Sequence, residues 1–525
     1  MTASSRTHRR RLRRVAVLAV ATVTALSLSG CVTAFLPENT ASPVQPQLST
    51  PYPQDVDEDL APYYQQQISW TPCDDGSEML CAEATVPADW SDPGNGSIAL
   101  ALVMHPATGQ RLGSLLTNPG GPGASGVDLI RDSLDFAVGE PLQERFDVVG
   151  FDPRGVGRSA PVSCLDGPEM DDYLYGIPSA TRGSDDWIGE MQTSAKRFAR
   201  ACEQNSSTSL GDITTVAAAR DMDVLRAALG DEKLSYLGYS YGTFLGASYA
   251  GLYPERAGRL VLDGALDPSA SSAEVTTAQA VGFERSLDAY LTDCLASDDC
   301  PFTGTVQTAR STVAGLLSDA DAEPLPADDG RLLGANTLVT AIIYPLYSAD
   351  AWPQLSTMFA AVMGGDPTQA FDFADAYNGR SADTGEYTDN STEAFTAYNC
   401  ADYPVSTDTA VMAEQAAALA TAAPLIGPYM GYGDIGCVDW PIAEHAERTA
   451  ITAEGAPPIL VIGTSNDPAT PYAWAEALAD QLDSGVLVSY EGEGHTAYNK
   501  GSACVNDTVE DYLIDGTVPD SDPHC

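Results

Sequence analysis

The sequence predicts an α/β fold with a mostly parallel eight-stranded sheet covered on both faces and a large helical insertion. Short apolar runs alternate with helix-patterned segments along most of the chain, as strand-crossover-strand units require. The alternation is broken modestly at residues 160–212 and broadly at 268–435. At 525 residues the chain exceeds one average domain.

The strands follow in order. "CAEATVPADW" and "SIALALVMHPA" form an early pair, and "GSLLTNPGGPG" runs from a strand into a glycine-rich turn. "FDVVGFDPRGVGRS" is a further strand and turn. The amphipathic "AAARDMDVLRAALG" precedes the strand "KLSYLGYS". "AGRLVLDGALDP", "PPILVIGTSNDPATP" and "GVLVSYEGEGH" complete the eight. Between the sixth and seventh, "AEVTTAQAVGFERSLDAYLTDCL" and "LLGANTLVTAIIYPLYSADAWPQLSTMFAAVM" carry helical patterns, so 268–435 reads as a mostly helical lid. The hydrolytic core is then 66–267 and 436–525.

Residues 1–30 read as an export signal: a basic head with six arginines in the first 14 residues, then an apolar stretch from Val15 to Leu28 too short for a comfortable span. Arg13-Arg14 leaves the Sec and twin-arginine routes both open. Leu28-Ser29-Gly30-Cys31 resembles the bacterial lipobox, which implies a diacylglycerol on Cys31 and a membrane-anchored chain in the cell envelope. Residues 31–65, rich in Pro, Ser, Thr, Gln and acids, read as a tether. Setting Cys31 aside leaves ten cysteines, enough for five disulfides in an oxidising compartment. The simplest scheme pairs neighbours: Cys73 with Cys81, Cys164 with Cys202, Cys294 with Cys300, Cys400 with Cys437, Cys504 with Cys525. Sequence leaves the connectivity open, as it does the oligomeric state.

The net charge is −47, from 73 acidic and 26 basic residues. Such a chain repels phosphate backbones, which excludes nucleic acid as a partner. No CxxC occurs and histidines number five, so zinc is not expected.

Gly238-Tyr239-Ser240-Tyr241-Gly242 lies between a strand and a helix of small residues. A sharp turn there needs glycine at the crowded positions and leaves the Ser240 hydroxyl above the C-terminal edge of the sheet. A serine nucleophile needs a base. His8 leaves with the signal, His105 precedes the serine, His445 lies in a polar segment and His524 in the tail. His495, after the last strand, remains. Asp467 follows the strand before it and completes the chain order Ser, Asp, His; Asp263, at the end of "LVLDGALDP", is the rival acid. Thr470 is placed to bond the Asp467 loop. The glycine loop "TNPGGPGASG" offers Gly121 N–H which, with Tyr241 N–H, would hold an oxyanion. No cofactor is called for.

Taken together, "NPGGPG", "GFDPRGVGRS", "GYSYGT", "SNDPATP" and "GEGHT" resemble the exported tripeptidyl aminopeptidases of actinobacteria, in the proline-iminopeptidase-like branch of α/β-hydrolases, and also mycobacterial cell-envelope serine hydrolases. The resemblance spans about residues 65–525. It implies release of short peptides, often tripeptides, from substrates with a free N-terminus. It further implies lid acids that bind the substrate ammonium, for which Glu284 is the choice here. In "DPRGVGRS", Asp152 and Arg154 are expected to pair locally within a structural turn. An esterase or lipase of the envelope and a non-catalytic binding lipoprotein are the rival functions.

Overall fold

The computed structural model describes residues 46–442 and 448–525. The export signal, Cys31 and His445 lie outside the described residues. Among the described residues there are twelve strands: β1 (Gln47–Leu48), β2 (Ser69–Pro72), β3 (Leu80–Pro87), β4 (Ser97–His105), β5 (Gly113–Asn118), β6 (Phe146–Phe151), β7 (Leu234–Tyr239), β8 (Ala257–Asp263), β9 (Leu325–Pro326), β10 (Leu332–Leu333), β11 (Ile459–Asn466) and β12 (Gly485–Glu493). Ten form one sheet in the order β1-β2-β3-β4-β6-β5-β7-β8-β11-β12. From β6 through β12 every pairing is parallel, and from β1 to β6 every pairing is antiparallel.

The eight strands read from the sequence are the eight inner and carboxyl-side members. The two extra ones, β1 and β2, are two and four residues long. Elements this short carry no apolar period; only pairing on the edge at β3 defines them. The tether boundary is corrected accordingly. From Pro46 the chain is folded: Gln47 pairs with Trp70, and Tyr64 is buried with its hydroxyl donating to Asp223 Oδ2 at 2.7 Å.

Central strands are buried on both faces, β5 throughout its length. That is why they read as continuous apolar runs rather than alternating ones. Helices Gly126–Ala137, Thr215–Leu229, Tyr241–Leu252, Tyr472–Gln481 and Ala503–Asp515 are its crossover and terminal helices. The 268–435 insertion holds the long helices Ser272–Cys294, Val306–Ala322, Ala335–Leu346, Trp352–Met363, Thr368–Tyr377, Ser391–Asp402 and Thr409–Ala422, with β9 and β10 as a small hairpin. The first starts at a capping box in which Ser271 and Glu274 exchange hydrogen bonds. This region has its own apolar centre around Leu287, Leu291, Leu338, Ile342, Leu355 and Phe359.

The five disulfides join the neighbouring cysteines: 73–81, 164–202, 294–300, 400–437 and 504–525. The local pairing expected of Asp152 and Arg154 is absent. Arg154 forks onto Asp221 with two bonds of 2.7 Å, both side chains buried. Asp152 instead accepts from Ser125 Oγ at 2.5 Å, Val127 N at 3.1 Å and Arg158 N at 2.9 Å. A carboxylate at the start of the Gly126–Ala137 helix satisfies orphan N–H groups there, a better outlet than an adjacent side chain. The segment is a structural turn that anchors the glycine loop's helix.

Candidate active site

Ser240 stands between β7 and the helix Tyr241–Leu252, with φ 54° and ψ −123°. A non-glycine residue in this region is strained, and the surroundings impose it. Ser240 N–H donates to Asp263 O at 2.9 Å, and Thr243 N–H donates back to Ser240 O at 2.8 Å. The flanking glycines are steric necessities. A Cβ on Gly238 would lie 2.5 Å from Gly242 O, and one on Gly242 would lie 2.9 Å from Asn118 O.

The glycine loop after β5 presses on this elbow. Gly120 and Gly121 have φ of 101° and 104°, and a Cβ on Gly120 would come within 2.8 Å of Ser240 Cβ and 3.1 Å of Tyr241 N. Gly120 N–H is held by Asn118 Oδ1 at 3.0 Å. Gly121 follows Gly120 in the loop after β5, and Tyr241 follows Ser240 after β7.

His495 and Asp467 meet at the other side. Asp467 Oδ2 lies 2.8 Å and Oδ1 3.0 Å from His495 Nδ1, and Asp467 is 4% exposed. With the proton assigned to Nδ1, that N–H donates to the carboxylate and Nε2 is left as the basic nitrogen. Asp467 also accepts from Ala469 N at 2.9 Å, Thr470 N at 2.8 Å, Thr496 N at 3.1 Å and Thr470 Oγ1 at 2.8 Å. Burial by itself would raise this carboxyl. The attraction and hydrogen bond of His495, with the N–H donors, outweigh it and hold Asp467 below the usual carboxylate range. Thr470 Oγ1 sits 3.2 Å from His495 Nδ1, bridging base and acid.

His495 approaches the elbow across Gly264, which follows β8. A Cβ there would lie 3.2 Å from His495 Cε1. Since Asp263 O receives the Ser240 N–H, serine and histidine border the same two residues. The rival acid Asp263 does not reach the imidazole. It is fully buried and accepts from Ala497 N at 3.0 Å and Tyr498 N at 2.8 Å, which clamps the loop behind His495. Burial pushes its carboxyl up, and those N–H groups offset this only in part.

Glu284 is a correction. It is 7% exposed inside the lid, paired with Arg310 at 2.6 Å, and accepts from Ile426 N at 2.9 Å and from Leu425 N. An acid with both oxygens committed has no capacity for a substrate ammonium. Helical patterning places a residue on a helix, not on the cleft side of it.

Sequence reasoning missed the residues that the lid contributes. Tyr347 O accepts the His495 N–H at 2.9 Å, and its ring stands edge-on to the imidazole at 5.5 Å. Asp402 and Thr215 bond beneath the Tyr241 side chain. The lid contacts, Tyr347 with His495 and Asp402 with Thr215, join residues more than 140 apart in the chain, and no local signal marks them.

Residues 423–525 match the family described as TAP-like protein. The chain is 34% identical over 478 residues to "Serine protease Hip1" of Mycobacterium tuberculosis (strain ATCC 25618 / H37Rv), covering 88% of this chain and 91% of that one. It is 36% identical over 485 residues to "Carboxylesterase B" of the same organism, covering 89% and 91%. It is 31% identical over 462 residues to "Tripeptidyl aminopeptidase" of Streptomyces lividans, covering 85% and 83%.

Proposed function

As the chain belongs to the tripeptidyl-aminopeptidase-like serine hydrolases of the α/β-hydrolase fold, we propose that it is a serine peptidase that releases short peptides, such as tripeptides, from substrates with a free N-terminus. The observation that carries the chemistry is the Asp467–His495 hydrogen bond together with Ser240 held in a strained elbow.

In this reading Ser240 Oγ attacks the scissile carbonyl carbon while His495 Nε2 takes its proton. Asp467 stays ionised and stabilises the imidazolium. The N–H groups of Gly121 and Tyr241 receive the oxyanion. His495 then protonates the leaving amine as the C–N bond breaks. Water, deprotonated by His495, attacks the acyl-enzyme, and the serine recovers its proton. The Leu28–Cys31 motif and the five disulfides support export and a lipid anchor at Cys31, on the outer face of the cell membrane.

A fluorophosphonate probe tests the nucleophile: the wild-type chain labels and Ser240→Ala does not. Label persisting in Ser240→Ala overturns the assignment. The carboxylesterase relative favours a second reading, an esterase acting on envelope esters. A tripeptide amide with a free N-terminus, compared with its N-acetyl form, separates them. The peptidase cleaves the first and not the second; an esterase turns over aryl esters and leaves both intact.

A further inference from the structure

One lid helix, Ser391–Asp402, touches both sides of the oxyanion site. Its first turn packs on the glycine loop: a Cβ on Gly123 would lie 2.6 Å from Ser391 O and 3.0 Å from Phe395 N. Its last residue, Asp402, is 4% exposed. Asp402 Oδ1 accepts from Thr215 N at 3.1 Å, and Oδ2 accepts from Thr215 Oγ1 at 2.5 Å. Thr215 Oγ1 also bonds the Tyr241 hydroxyl. The Thr215 hydroxyl has one proton, so its donation to Asp402 makes Tyr241 the donor to Thr215. Midway along the helix, Tyr398 packs its ring 5.7 Å from that of Tyr241 and donates to Arg154 O at 2.9 Å.

We propose that Thr215 and Asp402 are positioning residues for the oxyanion hole: they lock the Tyr241 side chain, and with it the N–H next to Ser240, while the same helix seats the glycine loop. This rests on the reading of Ser240 as nucleophile and Tyr241 N–H as an oxyanion donor. The lid is then part of the catalytic frame, because this one helix contacts both the glycine loop and the residues around the Tyr241 side chain.

The direction of the proton chain gives the proposal a pH signature. Burial pushes the Asp402 carboxyl up to about 6, against the lowering effect of its Thr215 hydrogen bonds and of Arg448. The groups around it are Thr215 and Tyr241 from two core helices, Tyr398 and Tyr403 from its own helix and the residue after it, and Arg448. Above pH 6 the carboxylate accepts both Thr215 bonds. Below it the added proton removes acceptor capacity and weakens the chain.

The second-order rate constant for fluorophosphonate labelling, measured from pH 5 to 8, tests this without a known substrate. At pH 8, Thr215→Val is expected to label about 10-fold more slowly, a fraction of the 10²–10³ lost with a whole oxyanion donor. Thr215→Ser, which keeps the hydroxyl, rescues most of that loss. Asp402→Asn is expected to be about 10-fold slower at pH 8 but within about 2-fold of wild type at pH 5, where the native side chain is itself neutral. A merely structural role would lower Tm in Thr215→Val without a pH-dependent rate ratio. Thr215→Val labelling at the wild-type rate, or a ratio of wild type to Asp402→Asn that is flat with pH, overturns the proposal. A wild-type chain inert to the probe overturns the nucleophile reading itself and the proposal with it.

Discussion

Asp467 and Asp263 are two buried carboxylates at the C-terminal ends of adjacent parallel strands, and both bind N–H groups of the loop that carries His495. Their proton affinities move in opposite directions, down for Asp467 and up for Asp263. Burial acts on both, so it does not make the difference. Direct contact with the imidazole does: Asp467 faces His495 Nδ1 at 2.8 Å, whereas Asp263 accepts from the Ala497 and Tyr498 N–H groups and feels His495 and Lys500 through charge without a hydrogen bond to either. Desolvation sets how costly a charge is, and a cationic partner decides whether the charge is kept. A carboxylate that must steady an imidazolium needs the second condition.

Exchanging the charge at each position breaks the comparison most directly. Asp467→Asn is expected to lower kcat by about 10³–10⁴-fold, because an amide can fix the wrong tautomer of His495 and cannot balance its charge. Asp263→Asn keeps an oxygen for the Ala497 and Tyr498 N–H groups and is expected to lower kcat less than about 10-fold. Steady-state kinetics on one peptide amide measures both, and equal losses would erase the distinction. Thr470→Val sharpens the Asp467 side by removing the hydroxyl that bonds Oδ2 at 2.8 Å. A loss of about 1–2 kcal/mol, roughly 10-fold in kcat at unchanged KM, is the expected result.

A third buried acid extends the Asp263 side into the lid. Glu393, in the first turn of Ser391–Asp402, is 8% exposed, and burial pushes it up to about 7, with its own N–H opposing. The folded state therefore holds a proton that the unfolded state has released between about pH 4.5 and 7. Stability falls as pH rises through that window and then levels off. Glu393→Gln removes the penalty. Thermal unfolding should find the variant more stable at pH 8, by on the order of 2–3 kcal/mol, and equal to wild type near pH 4.5. A difference independent of pH would rule out titration as its source.

The parts legible in the sequence are those built from local chemistry. The strand before Ser240 and the glycines around it announce a turn that only small residues permit, and the structure shows the contacts that a Cβ would violate. His495 stands out because five histidines leave few alternatives. β1 and β2 were not legible, since four residues or fewer hold no period. Glu284 was misplaced for a related reason: its helix is clear in the pattern, but the side of that helix facing Arg310 is chosen by packing.

The order of elements, the elbow, the base and the cysteine inventory are readable along the chain, because each depends on neighbours within a few residues or on counting. Packing across the fold settles how each acid bonds around the base, which lid residues reach the site and which buried acids are paired. Asp467 and Asp263 are both aspartates at strand ends, and the chain order Ser, Asp, His fits either. The choice is made where β8, β11 and the His495 loop converge, because an imidazole ring can turn one nitrogen toward one carboxylate and not two.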